Sequence, residues 1–142
     1  MMKILIVDDA SEKISSIIEL LTKECLVDRD NIQVAQTAID AKREMRSISF
    51  DLLILDVLIP VRAEDDPKVE TSIELLNEIY AEQRLRKPKY IVGLTAYEET
   101  RLEVDKHFRG RLWTVLYYDP TSTEWLNSIK NSISYIHDHN NQ

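Results

Sequence analysis

The chain has 142 residues, 44% of them hydrophobic, which suits one domain with a full core. Its net charge is −7, from 25 acidic and 18 basic residues, so direct sequence-independent binding to nucleic acids or to anionic membranes is not expected. The single cysteine, Cys25, excludes a disulfide within the chain and fits a reducing compartment. No apolar run approaches the roughly 18 residues of a membrane span, and the first residues fit a strand better than a signal peptide. We therefore expect a cytoplasmic protein.

Short apolar segments alternate with segments of helical periodicity along the whole chain. The predicted strands are residues 4–7, 32–35, 52–55, 90–94 and 112–117. The predicted helices begin near Ser11 as an N-cap, Thr37 as an N-cap, Thr71 or Ser72, Glu98, and Ser122 or Thr123. Gly110 is a candidate C-cap for the fourth helix.

This strict alternation of strand and helix predicts a parallel sheet covered by helices on both faces. With five strands, the order 2-1-3-4-5 is the natural prediction, which gives an α/β flavodoxin-like (βα)5 three-layer sandwich. We expect one domain over residues 1–137 and a short disordered tail over residues 138–142.

The central strand carries the most informative pattern. Residues 51–60 form an apolar run that contains Asp56 and closes with Pro60. Such a run is typical of a strand buried on both faces of a parallel sheet. Because a buried carboxylate is costly, Asp56 is expected where the strand emerges at its C-terminal edge. Folds of this class bind ligands at that edge.

Other polar side chains should reach the same edge. Asp8 and Asp9 follow strand 1, Thr95 ends strand 4, and Asp119 follows strand 5. Carboxylates this close repel one another, and a divalent cation relieves the repulsion. Mg²⁺ suits a site of one or two carboxylates and a carbonyl. A carboxylate such as Asp56 can act as a nucleophile toward phosphorus, and the Thr95 hydroxyl could donate to the transferred group.

Each of these residues also has a plainer interpretation. Asp8 and Asp9 could form a solvated turn that caps the first helix. Thr95 could be a strand-end residue, and Asp119 could be the turn former of an Asp-Pro pair.

Taken together, the residues resemble the receiver domain of two-component response regulators over nearly the whole chain. The motifs that carry the resemblance are Asp8-Asp9 after strand 1, Asp56 with Pro60 four residues later, Thr95-Ala96 after strand 4, and the Pro120 turn. The resemblance implies that Asp56 is the phospho-acceptor and that Thr95 is the switch hydroxyl. It also implies a Mg²⁺ site with Asp9 as a direct ligand, Asp8 acting through water, Asp56, and the backbone carbonyl of Leu58.

The resemblance further implies a stand-alone response regulator rather than an enzyme with a separate substrate. Its chemistry would be its own Mg²⁺-dependent phosphorylation and dephosphorylation. A sensor histidine kinase or a phosphotransfer protein would supply the phosphoryl group. A downstream protein effector, or a second copy in a homodimer, would bind the surface of the fourth helix, fifth strand and fifth helix.

Three features depart from the family pattern: Asp119, Leu116 where the family has its switch aromatic, and a longer loop after Pro60 that ends at Ser72 in place of the usual glycine. The family places a lysine immediately before the proline after strand 5, and here that residue is Asp119. An anion there favours metal and disfavours a phosphoryl group. An alternative is therefore a pseudo-receiver, a protein-interaction module that is not phosphorylated. A third possibility is a small enzyme or nucleotide binder on the same fold. The sequence argues against it, because it has no glycine-rich phosphate loop and its only glycines are Gly93 and Gly110.

Overall fold

The computed structural model describes residues 2–109 and 114–140, and of residues 139 and 140 the backbone alone. Strands and α-helices alternate along it. The strands are β1 (Ile4–Val7), β2 (Ile32–Ala35), β3 (Leu52–Asp56), β4 (Tyr90–Thr95) and β5 (Thr114–Tyr117). The helices are α1 (Ser11–Lys23), α2 (Ala38–Ser47), α3 (Val69–Ala81), α4 (Glu98–Arg109) and α5 (Glu124–Asn140), with a short 3-10 helix over Arg29–Asn31.

The strands form one parallel sheet in the order β2-β1-β3-β4-β5, which confirms the predicted topology and fold class. In the register of the central strands, Val7 of β1 pairs with Leu55 of β3, and Asp56 pairs with Leu94 of β4. Parallel strands in this register end at the same edge of the sheet. The residues that follow β1, β3 and β4 are therefore brought together.

Helices cover both faces of the sheet, and each face has its own apolar core. One core joins the sheet to α2, α3 and α4, through residues that include Met45, Leu76, Ile79, Val104 and Phe108. The other joins it to α1 and α5, through residues that include Ile17, Leu21, Trp125, Ile129 and Ile133. The central strands are apolar on both sides because both sides are covered.

The ends of two helices test the predicted caps. Thr37 caps α2 as expected, since its hydroxyl accepts a hydrogen bond of 3.1 Å from the Asp40 N–H. The prediction that Ser11 caps α1 is wrong, because Ser11 is already helical and Ala10 precedes the helix without a side-chain cap. Asp8 instead closes a turn just before the helix, since its Oδ1 accepts a hydrogen bond of 2.9 Å from the Ala10 N–H.

Helix α3 begins earlier than the pattern predicted, at Val69 instead of Thr71 or Ser72. Its start follows an antiparallel bridge between Ile59 and Lys68, in which the Lys68 N–H donates to the Ile59 carbonyl at 3.0 Å. This bridge closes the long loop after β3 and delivers the chain to the helix. A contact between residues nine positions apart is not visible in local periodicity.

The C-terminal helix also differs from expectation at its end. Helix α5 continues through Asn140, so positions 138–140 are helical where a disordered tail was expected. Buried Ile133 and Ile136 anchor this last part of the helix to the sheet. Residues 141 and 142, the start of the predicted fifth strand at 112–113, and the candidate cap Gly110 lie outside the described residues. Within the described part, no helix is long and apolar enough to cross a membrane.

Candidate functional site

Three carboxylates meet at the edge where β1 and β3 end. Asp8 and Asp9 follow the last residue of β1, and Asp56 is the last residue of β3. One carboxylate oxygen from each of Asp8, Asp9 and Asp56 lies within 4.8 Å of those from the other two. Asp8 and Asp56 are buried and Asp9 is exposed. The predicted convergence of these side chains is confirmed.

Lys13 is the residue at this site that the sequence analysis missed. Its Nζ lies 2.8 Å from Oδ2 of Asp8 and 3.5 Å from Oδ2 of Asp56. It also donates to the Leu94 carbonyl at 3.2 Å, and the residue is only 6% exposed. A signal was present, because Lys13 stands four residues before buried Ile17 and so lies on the apolar stripe of α1. A lysine on such a stripe requires partners for its charge.

The environment of Asp56 raises the pKa of its carboxyl to about 7. Burial is the main cause, because it disfavours the charged form. The ammonium of Lys13 opposes the rise, the carboxylates of Asp8 and Asp9 add to it, and the Leu58 N–H, which donates to Oδ1 of Asp56 at 3.1 Å, opposes it. The candidate phospho-acceptor is thus a carboxyl whose charged form is disfavoured in the free protein.

Thr95 ends β4, on the strand beside Asp56, and it is fully buried. Its Oγ1 accepts a hydrogen bond of 3.2 Å from the Tyr97 N–H, and its carbonyl accepts one from the Tyr118 N–H. The hydroxyl is thus linked to the residue before α4, and the Thr95 backbone is linked to the residue after β5. A movement of Thr95 would therefore alter hydrogen bonds next to both α4 and β5.

Asp119 lies outside the group of three carboxylates that the described residues form. Its Oδ1 accepts hydrogen bonds of 2.9 Å from the Thr121 N–H and 2.7 Å from the Thr121 hydroxyl. These bonds hold the pKa of the Asp119 carboxyl below its usual range. The plainer interpretation of this residue, a turn former before α5, accounts for its contacts.

The donor set at the site suits a hard divalent cation. Three carboxylates against one ammonium leave a net charge of −2 when all are ionised. Mg²⁺ prefers oxygen ligands and keeps several water molecules in its coordination shell. Because Asp9 is exposed, solvent can reach the site and supply those waters. The carboxylates of Asp8, Asp9 and Asp56 could hold such an ion. Which of them would bind it directly or through water, and the part of the Leu58 carbonyl, stay predictions.

Comparisons with known proteins place this geometry in context. No family model matches the sequence. The uncharacterized protein y4jS of Sinorhizobium fredii is 32% identical over 135 residues, which cover 95% of this chain and 32% of that protein. The chain thus spans about a third of the length of the relative that it matches.

Solved structures resemble the chain over nearly its whole length. The phosphorylated cyanobacterial phytochrome response regulator RcpA has a TM-score of 0.65 at 19% identity, covering 96% of this chain and 91% of that one. A CheY-like receiver domain from Methylobacillus flagellatus has a TM-score of 0.65 at 20% identity, covering 94% and 98%.

A third structure, the receiver domain of the sensor histidine kinase PA1611 from Pseudomonas aeruginosa PAO1, has a magnesium ion coordinated in its active site cleft. Its TM-score is 0.62 at 20% identity, and the match covers 94% of this chain and 98% of that one. With its parallel sheet in the order 2-1-3-4-5 and its acidic group at the sheet edge, this chain has the CheY-like fold of response regulator receiver domains.

Proposed function

We propose that this chain is a receiver domain that accepts a phosphoryl group on Asp56 and signals through protein–protein contacts. The observation that carries the proposal is the meeting of Asp8, Asp9 and Asp56 at the carboxyl edge of the sheet. Neighbours of the same fold include a phosphorylated response regulator and a receiver domain with magnesium in its cleft. The proposal applies their chemistry to the carboxylates of this chain.

In the proposed reaction, a carboxylate oxygen of Asp56 attacks the phosphorus of a phosphohistidine on a histidine kinase or phosphotransfer protein. The new O–P bond forms as the N–P bond breaks, and the imidazole nitrogen leaves with the electron pair. Mg²⁺, when bound, offsets negative charge on the transferring group. Asp9 and Asp8 would keep that ion beside Asp56, and the Leu58 N–H donates to Oδ1 of Asp56 and so orients the carboxylate.

Thr95 is the proposed link between the site and the signalling surface. Its hydroxyl is satisfied by the Tyr97 N–H in the free protein. If the Thr95 side chain rotates to donate its hydroxyl proton to a phosphoryl oxygen, its oxygen moves away from the Tyr97 N–H and the start of α4 is free to move. The change would reach the surface formed by α4, β5 and α5.

That surface exposes large side chains that the sheet does not use. Tyr97 is 58% exposed, Leu102 on α4 is 65% exposed, and Tyr117 at the end of β5 is 41% exposed. Aromatic side chains are enriched at protein interfaces. We propose that a downstream protein, or a second copy of this chain, binds here in response to phosphorylation.

The pseudo-receiver remains the second candidate, and Asp119 before Pro120 is the observation that favours it. Beryllofluoride with Mg²⁺ mimics a phosphoryl group on a carboxylate and separates the two candidates. We expect ¹⁹F NMR to show a bound fluoride signal that requires Mg²⁺ and disappears in Asp56→Asn. We also expect amide shifts at Thr95 and along α4. If saturating beryllofluoride changes neither spectrum, the chain is a pseudo-receiver and phosphorylation is rejected.

A further inference from the structure

Lys13 is the cation closest to the proposed acceptor, and it comes from an unexpected part of the fold. Among the ion pairs of the described residues, only Lys13 contacts Asp56, at 3.5 Å. It lies in the first turn of α1, four residues after Asp9, whereas the family pattern places a lysine after β5. The turn after β5 instead carries Asp119, whose carboxylate is bound to Thr121.

The side chain of Lys13 is held in place from several directions. Oδ2 of Asp8 and the Leu94 carbonyl fix its Nζ at 2.8 and 3.2 Å. The ring of Tyr118, at the end of β5, lies 5.7 Å from the Nζ and adds a cation–π contact. The ammonium is therefore oriented in advance at the edge of the sheet, and no rearrangement of the helix is needed to present it.

The unequal distances suggest what this ammonium does when the charge on Asp56 increases. Its contact with Asp8 is short, and its contact with Asp56 is longer than a good charge-assisted hydrogen bond. A phosphoryl group on Asp56 adds negative charge and extends beyond the carboxylate. An ammonium has three donors, so Lys13 can keep Asp8 and the Leu94 carbonyl while donating the third to a phosphoryl oxygen.

We propose that Lys13 is the residue of this chain that pairs with the phosphoryl oxygens during transfer to Asp56, in place of a lysine after β5. This inference rests on the proposed function. It explains how phosphorylation could occur although Asp119 stands where the family pattern has a lysine. With acetyl phosphate as the donor, an Asp56 oxygen attacks phosphorus, the O–P bond to Asp56 forms, and acetate leaves with the electron pair. The ammonium of Lys13 offsets the negative charge that accumulates on the equatorial oxygens.

The test compares Lys13→Met with Lys13→Arg and with a matched control on the same helix. Lys23→Met removes a lysine that is 72% exposed and lies at the opposite end of α1 from Lys13. Among the described residues, its ion pair is with Glu19 of the same helix. Each variant is measured for its rate of phosphoryl adduct formation from acetyl phosphate at saturating Mg²⁺, for beryllofluoride affinity, and for Mg²⁺ affinity alone. Because Lys13 is buried, Lys13→Gln serves in place of Lys13→Met if the latter does not fold.

We expect Lys13→Met to slow adduct formation by about 100-fold, the loss typical of removing one donor to a developing charge. Its Mg²⁺ affinity should be unchanged or higher, because a competing cation has been removed. Lys13→Arg should recover part of the rate, and Lys23→Met should match the wild type. A merely structural lysine would instead lower Mg²⁺ affinity and adduct formation together.

The outcomes separate this inference from the function on which it rests. If the wild type forms an adduct and folded Lys13→Met or Lys13→Gln forms it within about twofold of that rate, Lys13 does not assist transfer. Loss of Mg²⁺ affinity in parallel with the rate would also overturn the inference. If the wild type itself forms no adduct, the proposed phosphorylation fails and the role of Lys13 fails with it.

Discussion

The ammonium of Lys13 lies 3.5 Å from Oδ2 of Asp56, although the lysine belongs to the first helix and the aspartate ends the central strand. The same ammonium lies 2.8 Å from Asp8. A cation shared by two buried carboxylates compensates only part of their charge, and exposed Asp9 adds more. The predictions below follow from this imbalance and from the packing that surrounds it.

The first prediction concerns stability without metal. Burial raises the pKa of the Asp56 carboxyl from its ordinary value of 3.8 to about 7, so the folded state holds this proton more tightly than the unfolded chain does. The resulting stabilisation is fully present below about pH 4 and is lost as the pH rises through 7. Asp56→Asn lacks this loss.

We expect metal-free Asp56→Asn to be more stable than the wild type at pH 8 by up to about 4 kcal/mol, since the pKa of the carboxyl rises from 3.8 to about 7 and one pKa unit corresponds to about 1.4 kcal/mol. The difference should grow between about pH 4 and 7 and then level off. Urea titrations of both proteins in a chelator provide the measurement. A difference that does not vary with pH would mean that the Asp56 carboxyl is not perturbed in the folded protein.

The second prediction concerns metal affinity. Mg²⁺ requires the ionised carboxylate, so below the raised pKa of Asp56 the ion competes with a proton. The apparent affinity should rise by up to about tenfold per pH unit toward pH 7 and should be nearly constant above it. Calorimetric titration across this range measures it. Asp9→Asn should weaken binding at every pH, and a pH-independent affinity would indicate that the ion binds away from Asp56.

Much of this site was predictable because it depends on topology. Once the alternation of strands and helices predicts a parallel sheet, Asp8, Asp9 and Asp56 must share one edge. The place of Lys13 at the site is not predicted by helical periodicity, because that pattern is set by the isoleucines and leucines of α1. A charged residue inside the apolar stripe of a helix is the sequence signal that indicates a buried charge with partners.

The loop after β3 was less predictable for a different reason. The Ala38 and Ile39 N–H groups at the start of α2 donate to the Pro60 and Val61 carbonyls, at 3.0 and 3.3 Å. The loop is thus fixed against α2 and closed by the bridge between Ile59 and Lys68. Backbone contacts between segments so far apart leave no pattern in composition or periodicity.

The third prediction concerns Asp119. Its carboxylate is bound to Thr121 and does not belong to the group at the sheet edge. We expect Asp119→Ala to reduce stability only slightly, because the two hydrogen bonds that it removes are exposed to water. Mg²⁺ affinity should stay within about twofold of the wild type, since no ligand changes. A marked fall in affinity would show that Asp119 acts as a further ligand and would favour the pseudo-receiver.

The fourth prediction concerns Gly93 in β4, which determines how closely α4 can pack on the sheet. A Cβ built at Gly93 would lie 2.9 Å from two ring carbons of Phe108 and 3.1 Å from Cγ2 of Val115. Gly93→Ala should therefore reduce stability by about 1–3 kcal/mol, as overpacked cores do. Thermal or urea unfolding measures the loss.

A double-mutant cycle with Phe108→Leu identifies the cause of that loss. The smaller leucine gives the new methyl group room, so the double variant should lose less stability than the sum of the two single variants. Additive losses would indicate that the clash with the Phe108 ring is not what Gly93 avoids.

The account depends on Asp56 being the residue that forms the acyl phosphate. After incubation with acetyl phosphate and Mg²⁺, borohydride reduces an aspartyl phosphate to homoserine, and peptide mass spectrometry then locates the modified position. We predict homoserine at position 56, dependent on Mg²⁺ and absent in Asp56→Asn. An unmodified Asp56 in the wild type, or modification at another aspartate, would contradict the account.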